Sequence, residues 1–266
     1  GLNYDAGAKT PIASIMASIF LVVILLLVAP LAAYLPVAAM AGILFLVAYG
    51  LIDFKHIKTI LKTSRSETAV LVTTFLSTLF LDLEFAIYVG VMLSLVLYLK
   101  RTSQPRILSR TPNPAHASRE FITNHDLPEC PQLKIVRIDG SVFFGAVNHI
   151  QQTLQNIDQL NPRQKHVLII AKGINFVDIA GMELFVQETV RRRAIGGGMY
   201  FYEVKDQVRA MLVRSGYIAT IGEENIFHSK MEAIRTIFSK LDRSICETCT
   251  ARIFTECADL PRKKLD

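Results

Sequence analysis

Cys246, Cys249 and Cys257 are spaced C-x2-C-x7-C near the C-terminus, and Cys130 is the remaining cysteine of the chain. Three thiolates at such spacing suit a tetrahedral zinc ion if Cys130 or a histidine supplies the fourth ligand. With one C-x2-C pair and no identified fourth ligand, a short tail of free thiols is the plainer reading. A disulfide framework is not expected, because thiols on the cytoplasmic side, where the membrane topology below places them, stay reduced. The six histidines show neither zinc-helix spacing nor a Cys/His nucleophile pattern, so His149 and His166 read as ordinary structural or surface residues. Gly196, Gly197 and Gly198 lack the Lys-Ser/Thr of a phosphate loop and follow a helical pattern, which makes them a turn. Arg191, Arg192 and Arg193 suit the negative end of that helix. They read as a solvated helix end rather than as contacts to lipid headgroups or a neighbouring subunit. No catalytic set and no cofactor motif emerges, so the chain is not read as an enzyme.

The elements that carry these residues fall into two unlike halves. From residue 10 to residue 52 there are 43 residues without one charged side chain, interrupted by Pro30 and Pro36. In hydrocarbon every backbone N–H and C=O must be paired within the segment, so such a run is helical, and its length predicts a membrane hairpin turning between Ala29 and Pro36. A second apolar pair follows, Thr68 to Leu81 and Phe85 to Leu99. Lys9, the cluster Lys55, His56, Lys58, Lys62 and Arg65, and then Lys100, Arg101 and Arg106 flank alternate ends of the four segments. Basic ends face the cytoplasm, so four crossings return the chain to that side and everything after Lys100 is cytoplasmic. The segments are short for upright spans, and small residues such as Ala38, Ala39, Ala41, Gly42, Gly90 and Ser94 would allow close helix contact. The net charge of +6 is split, about +2 before residue 102 and about +4 after it, and carries no basic stripe interleaved with aromatics. Nucleic acid is therefore not an expected partner. The first apolar run has neither a basic leader nor a small-residue cleavage pattern, and the start at Gly1 reads as that of a truncated chain rather than of a signal peptide.

Thr102 to Cys130 contains four prolines and little periodicity, which predicts an irregular connector. Beyond it the pattern is α/β. Strands are expected at Leu133–Ile138, at Ser141–Gly145 after an Asp139-Gly140 turn, at His166–Ala171, at Met199–Val204 and around Asn225–Phe227. Helices are expected at Ala146–Leu160, Met182–Arg193, Asp206–Ser215 and Ser229–Leu241. Such alternation implies a largely parallel sheet covered by helices.

The block Val167-Leu-Ile-Ile-Ala-Lys-Gly-Ile-Asn-Phe-Val-Asp-Ile-Ala-Gly-Met-Glu-Leu-Phe resembles the signature of STAS domains, shared by anti-sigma factor antagonists and the cytoplasmic tails of sulfate permease (SulP) family anion transporters. The upstream Ile138-Asp-Gly-Ser-Val-Phe-Phe-Gly-Ala is similar to the opening hairpin of those tails. Asn3 to Pro11, Leu35-Pro36-Val-Ala-Ala-Met-Ala-Gly, Gly50-Leu-Ile-Asp and Thr74-Phe-Leu-Ser-Thr-Leu-Phe-Leu-Asp-Leu-Glu resemble the last membrane helices of the same transporters. The resemblance covers nearly the whole chain in the right order. It divides the chain into C-terminal transmembrane helices over 1–101, a linker over 102–120, a STAS domain over 121–243 and a Cys-containing tail over 244–266.

The resemblance implies the last helices of a seven-plus-seven inverted-repeat membrane domain. It further implies secondary-active transport of sulfate, bicarbonate or a dicarboxylate, coupled to H+ or Na+ or by exchange, in a lipid bilayer. A homodimer and a cytoplasmic regulatory protein at the STAS domain are its expected partners. In such carriers the anion lies between facing half-helix N-termini, and the resemblance implies that the principal anion contacts fall before Gly1, so no substrate residue is assigned. The alternative is a membrane-anchored STAS module that binds a protein or nucleotide without transport. The regulatory loop of the resemblance falls on Asp178, Ile179, Ala180 and Gly181. In the antagonists a serine before the glycine is phosphorylated, and here that position is Ala180, which has no hydroxyl. Asp178 is read as the cap of the following helix.

Overall fold

The computed structural model describes residues 7–32, 34, 36–113, 120–124 and 126–261. They fall into two compact units, divided between Val72 and Thr73.

The first unit is helical. Helix α1 spans Ile12–Ala32 and α2 spans Val37–Leu51. The expected turn at residues 29–36 is thus narrowed, because α1 continues past Pro30, while residues 33 and 35 lie outside the described set. A break at Ile52-Asp53 precedes the basic helix α3, Phe54–Thr63, whose first turn is capped by Asp53 Oδ1 accepting from the His56 N–H at 2.8 Å. Large side chains of α1 and α2, among them Leu21, Leu26, Phe45 and Leu46, are exposed within the chain. Water tolerates no such surface, so these helices belong in lipid or against other helices. Helix α4, Arg65–Phe80, runs from this unit into the second, and Asp82 leads into α5, Leu83–Thr102, whose buried residues are the small Ala86 and Gly90. All four apolar segments are helical. Among the described residues two stretches are long and apolar enough to cross a membrane, 37–63, which includes the break before α3, and Leu83–Thr102, and the part of α1 whose side chains are described, Ile12–Leu27, is apolar as well.

After α5 the chain builds a six-stranded sheet in the order β1-β4-β5-β7-β8, with β6 added beside the far end of β4. The strands are β1 Arg106–Ser109, β4 Leu133–Val142, β5 His166–Ile170, β6 Ile174–Val177, β7 Gly198–Tyr202 and β8 Ile226–Phe227; β2 Thr111–Pro112 and β3 Phe121–Ile122 form a separate ribbon. All pairings in the large sheet are parallel except β1 with β4. Helices α6 Phe144–Leu160, α7 Ile179–Ala194 and α8 Asp206–Arg214 follow in order, then the short α9 Ile218–Ile221, α10 Lys230–Phe238 and α11 Arg243–Thr248.

Strand β5 is buried at every residue, the expected state of a parallel strand covered on both faces. Its alternation divides the core. Val167 and Ile169 join Ile138, Ile150, Met182, Phe185 and Phe201 under α6 and α7. Leu168 and Ile170 join Leu133, Tyr200, Ile234, Ile237 and Phe254 under α10 and the C-terminal tail.

Three expectations are corrected. Asp139-Gly140 is not a turn: β4 runs straight through it because its second half finds a partner in β6, with Gly140 opposite Ile174 and Val142 opposite Val177. No separate second strand forms over Ser141–Gly145: Ser141 and Val142 end β4, and the chain then enters α6 at Phe144. The connector is not wholly irregular, because Arg106–Ser109 pairs antiparallel with Val136–Asp139 and closes the sheet edge.

Candidate functional site

The loop between β6 and α7 is built around one carboxylate. Asp178 Oδ1 accepts from the Gly181 N–H at 2.8 Å, capping α7, and Oδ2 accepts from the Phe144 N–H at 2.9 Å, at the start of α6. The Asp178 N–H in turn donates to the Val142 carbonyl at 3.2 Å. One side chain therefore serves the free N–H groups of two helix N-termini, where aligned peptide dipoles favour negative charge. Gly181 admits no side chain: a Cβ there would collide with the Val142 carbonyl oxygen. Ala180 is half-buried, whereas Phe144, Phe176 and Ile179 around the loop are exposed, Phe144 to 80%. The loop offers an apolar rim over two helix starts and no nucleophile or phosphate acceptor.

At the other end of α7 the arginines differ from expectation. Arg192 is fully buried. Its Nε donates to Glu188 Oε1 at 2.6 Å, its Nη2 to Asp158 Oδ1 at 2.8 Å, and its Nη1 reaches the Gln164 and Lys165 carbonyls. Arg191 bonds the same Glu188 and Asp158, and Arg193 donates at 2.7 Å to both the Thr220 and the Ile221 carbonyls. The run is not a solvated helix end but a clasp tying α7 to α6, to the entry of β5 and to α9. Glu188, four residues before Arg192, was the available sequence signal. Of the three glycines Gly196 lies in the turn after α7, and Gly198 already opens β7; a Cβ on Gly197 would collide with the Lys165 carbonyl oxygen.

His166, which opens β5, is buried, with Nδ1 3.2 Å from the Tyr200 hydroxyl. Burial pushes its imidazole down to about 4 from the ordinary 6.5, helped by the charges of Lys240, Arg192 and Lys165. Between those values the unfolded chain binds a proton that the folded chain refuses, so stability falls as pH drops through the window. The thermal midpoint should fall on acidification from about pH 6.5 to 4, and His166→Gln should flatten that slope; an unchanged slope in calorimetry would disprove the assignment.

The cysteines converge from both ends of the domain. Cys130, just before β4, and Cys246, Cys249 and Cys257 of the tail line one cavity of about 10 Å³, and all four are free thiols. Gln132 holds the segments together: its Nε2 donates to the Asp242 carbonyl at 2.9 Å and to Cys246 Sγ at 3.2 Å, and its Oε1 accepts from the Asp242 N–H at 2.9 Å. Burial pushes the Cys130 thiol up to about 11, against the pull of the Gln132 and Leu133 N–H groups. Burial raises Cys246 and Cys257 as well. Among the described residues no three His, Cys, Asp or Glu side chains stand as a ready-made metal-binding group.

Comparison with known proteins places these parts. Residues 1–74 match the sulfate permease family and residues 124–233 match the STAS domain. The chain is 24% identical over 226 residues to YvdB of Bacillus subtilis, covering 85% of this chain and 41% of that protein. It is 22% identical over 248 residues to high affinity sulfate transporter 2 of Stylosanthes hamata, covering 88% of this chain and 37% of that protein. It thus spans about two fifths of the length of these relatives. The murine Slc26a9 anion transporter in its inward-facing state superposes with a TM-score of 0.72 at 20% identity, over 88% of this chain and 39% of that one. Neither matched module is a catalytic one. Sulfate permease helices followed by a mixed α/β STAS domain, in that order in one chain, are the architecture of the SulP family of anion transporters.

Proposed function

We propose that this chain is the C-terminal part of a secondary-active SulP carrier of sulfate, bicarbonate or a dicarboxylate, driven by H+ or Na+ or by exchange and regulated through its STAS domain. The observation that carries the reading is the succession of the two family matches on one chain, with the last membrane helix leading directly into the α/β domain. The junction supports mechanical coupling: just after α5, Ser103 sits against Gly145 in the first turn of α6, whose preceding N–H is held by Asp178. Movement of α5 during transport would reach the Asp178–Gly181 loop through this contact, and a protein docked on that loop would bias α5 in return. The principal anion contacts belong to the remainder of the membrane domain, and two carriers associate as a homodimer.

Uptake of labelled sulfate, bicarbonate and succinate by the full-length carrier in proteoliposomes tests the reading. Saturable uptake of one of them is expected, and residues 1–266 alone should support none. Absence of uptake by a folded full-length protein would favour the anchored STAS module instead.

Orientation gives a separate expectation. Basic residues gather at Lys9, Lys55–Arg65 and Lys100–Arg106, which sets four crossings with those ends, and the STAS domain, in the cytoplasm. In intact cells a cysteine at Tyr34 should react with an impermeant thiol reagent from outside, and Lys58→Cys should be protected. Labelling of Lys58→Cys from outside would reverse the topology.

A further inference from the structure

We propose that Cys130, Cys246, Cys249 and Cys257 bind one zinc ion, which staples the C-terminal tail to the face of the sheet away from α6 and α7. This is independent of what the carrier transports.

The case begins with placement. Cys130 is more than a hundred residues from the other three, yet all four line one cavity whose volume suits a single water-sized occupant. Cys246 lies in α11 and Cys249 directly follows it, with the Cys249 N–H donating to the Cys246 carbonyl at 3.3 Å. Both residues of this C-x2-C pair line the same cavity. Cys257 ends a single helical turn, Thr255–Cys257, and Cys130 enters from the sheet side. Four soft sulfur donors match the closed all-thiolate set of structural zinc.

Two polar groups at the cavity, Gln132 and Arg252, would balance the charge of a metal thiolate centre. The Gln132 amide already donates to Cys246 Sγ, and its clasp on Asp242 fixes the tail in register with Cys130. Hydrogen bonds of this kind orient and charge-balance metal thiolates. Arg252, which also lines the cavity, is held in a left-handed conformation at φ 37° and donates to the Cys257 and Leu260 carbonyls. Its cation stands beside a centre that would carry a net charge of −2. The remaining lining is chiefly apolar, with Phe254 and Leu241 buried.

The sulfurs line the cavity without ligating geometry, so binding must draw them inward. Each has one rotatable bond between backbone and sulfur, with staggered alternatives of similar energy. Zn2+ would displace one proton from each thiol to solvent and form four Zn–S bonds, with no change of oxidation state. The binding energy then becomes folding energy for residues 244–261, a segment too small for a core of its own.

The full chain, purified reduced and without chelator, tests this by elemental analysis. About one zinc per chain is expected, and Cys130→Ser, Cys249→Ser and Cys257→Ser should each lower it about tenfold. Circular dichroism establishes whether each variant folds. Two measurements on the unmutated chain stand apart from that question. Exchange with Co2+ should give the visible bands of tetrahedral cobalt thiolate, and alkylation of the four thiols should be blocked until a chelator is added. Metal-free protein with no cobalt spectrum would overturn the proposal, as would four freely alkylated thiols or a disulfide. Iron with inorganic sulfide in place of zinc would overturn the metal assignment, and full zinc retention in Cys130→Ser would overturn the four-cysteine site.

Discussion

Arg192→Ala should destabilise the α/β domain by about 3 kcal/mol or more, because it leaves buried acids without their inner partner. Glu188 is buried and Asp158 largely so, and both bond Arg192 at 2.6–2.8 Å. The same substitution strips the Gln164 and Lys165 carbonyls of a donor and opens a cavity where a fully buried side chain stood. Arg191 reaches both carboxylates and limits the loss, which places the effect at the lower end of the range for a broken buried pair. Arg191→Ala is the internal control: that side chain is 41% exposed, its charge pairs are screened, and its removal should cost about 1 kcal/mol or less while Arg192 stays in place. Denaturant unfolding followed by near-ultraviolet circular dichroism of tyrosine measures both, since the chain has no tryptophan. Equal effects of the two variants would refute the division of labour.

Asp178→Ala should cost about 1–4 kcal/mol, since it removes two helix-start acceptors at once, each of which is worth about 0.5–2 kcal/mol. The loss is local in the chain but not in space: the bonds to Gly181 and Phe144 join the starts of α7 and α6. Asp178→Asn keeps one carbonyl oxygen and should fall between. Ala180→Asp behaves differently, because it adds a second carboxylate near the same dipoles; attraction and like-charge repulsion are each on the order of 1 kcal/mol and partly cancel. Stability should hardly change. If the loop is a docking surface, uptake by the full-length Ala180→Asp carrier should nevertheless change. Paired unfolding and uptake measurements separate the cases: unfolding marks the loop as purely structural, and unaltered uptake removes its regulatory role.

Much of this was readable residue by residue. The uncharged run from 10 to 52 could only be helical, whatever surrounds it, since hydrocarbon offers its backbone no other partners. His-Val-Leu-Ile-Ile announced a strand covered on both faces, and the stretch after Phe144 announced a helix through Val147, Ile150, Leu154 and Ile157. The cap at Asp178 followed from its place before a helical pattern, and the structure adds only its second bond, to Phe144.

What local pattern misjudged shares one cause. Asp139-Gly140 carries turn chemistry, yet strand β6 pairs beyond it and holds β4 extended; a distant partner outweighs a local preference. Arg106–Ser109 looked irregular beside its prolines and became a strand because the edge of β4 had open hydrogen-bonding groups. Arg192 read as solvated, since an arginine beside two others at a helix end usually is; Asp158 and the Gln164 and Lys165 carbonyls, brought up by α6 and β5, offset the cost of burial. By itself, then, the sequence determined which segments are helix, which are buried strand and which family of modules they belong to, because those properties depend on neighbours a few residues away. Only the tertiary structure decided that Asp178 joins two helices, that Arg192 is interior and that Cys130 meets the cysteines of the tail, because each depends on groups the chain separates and only the packed sheet brings together.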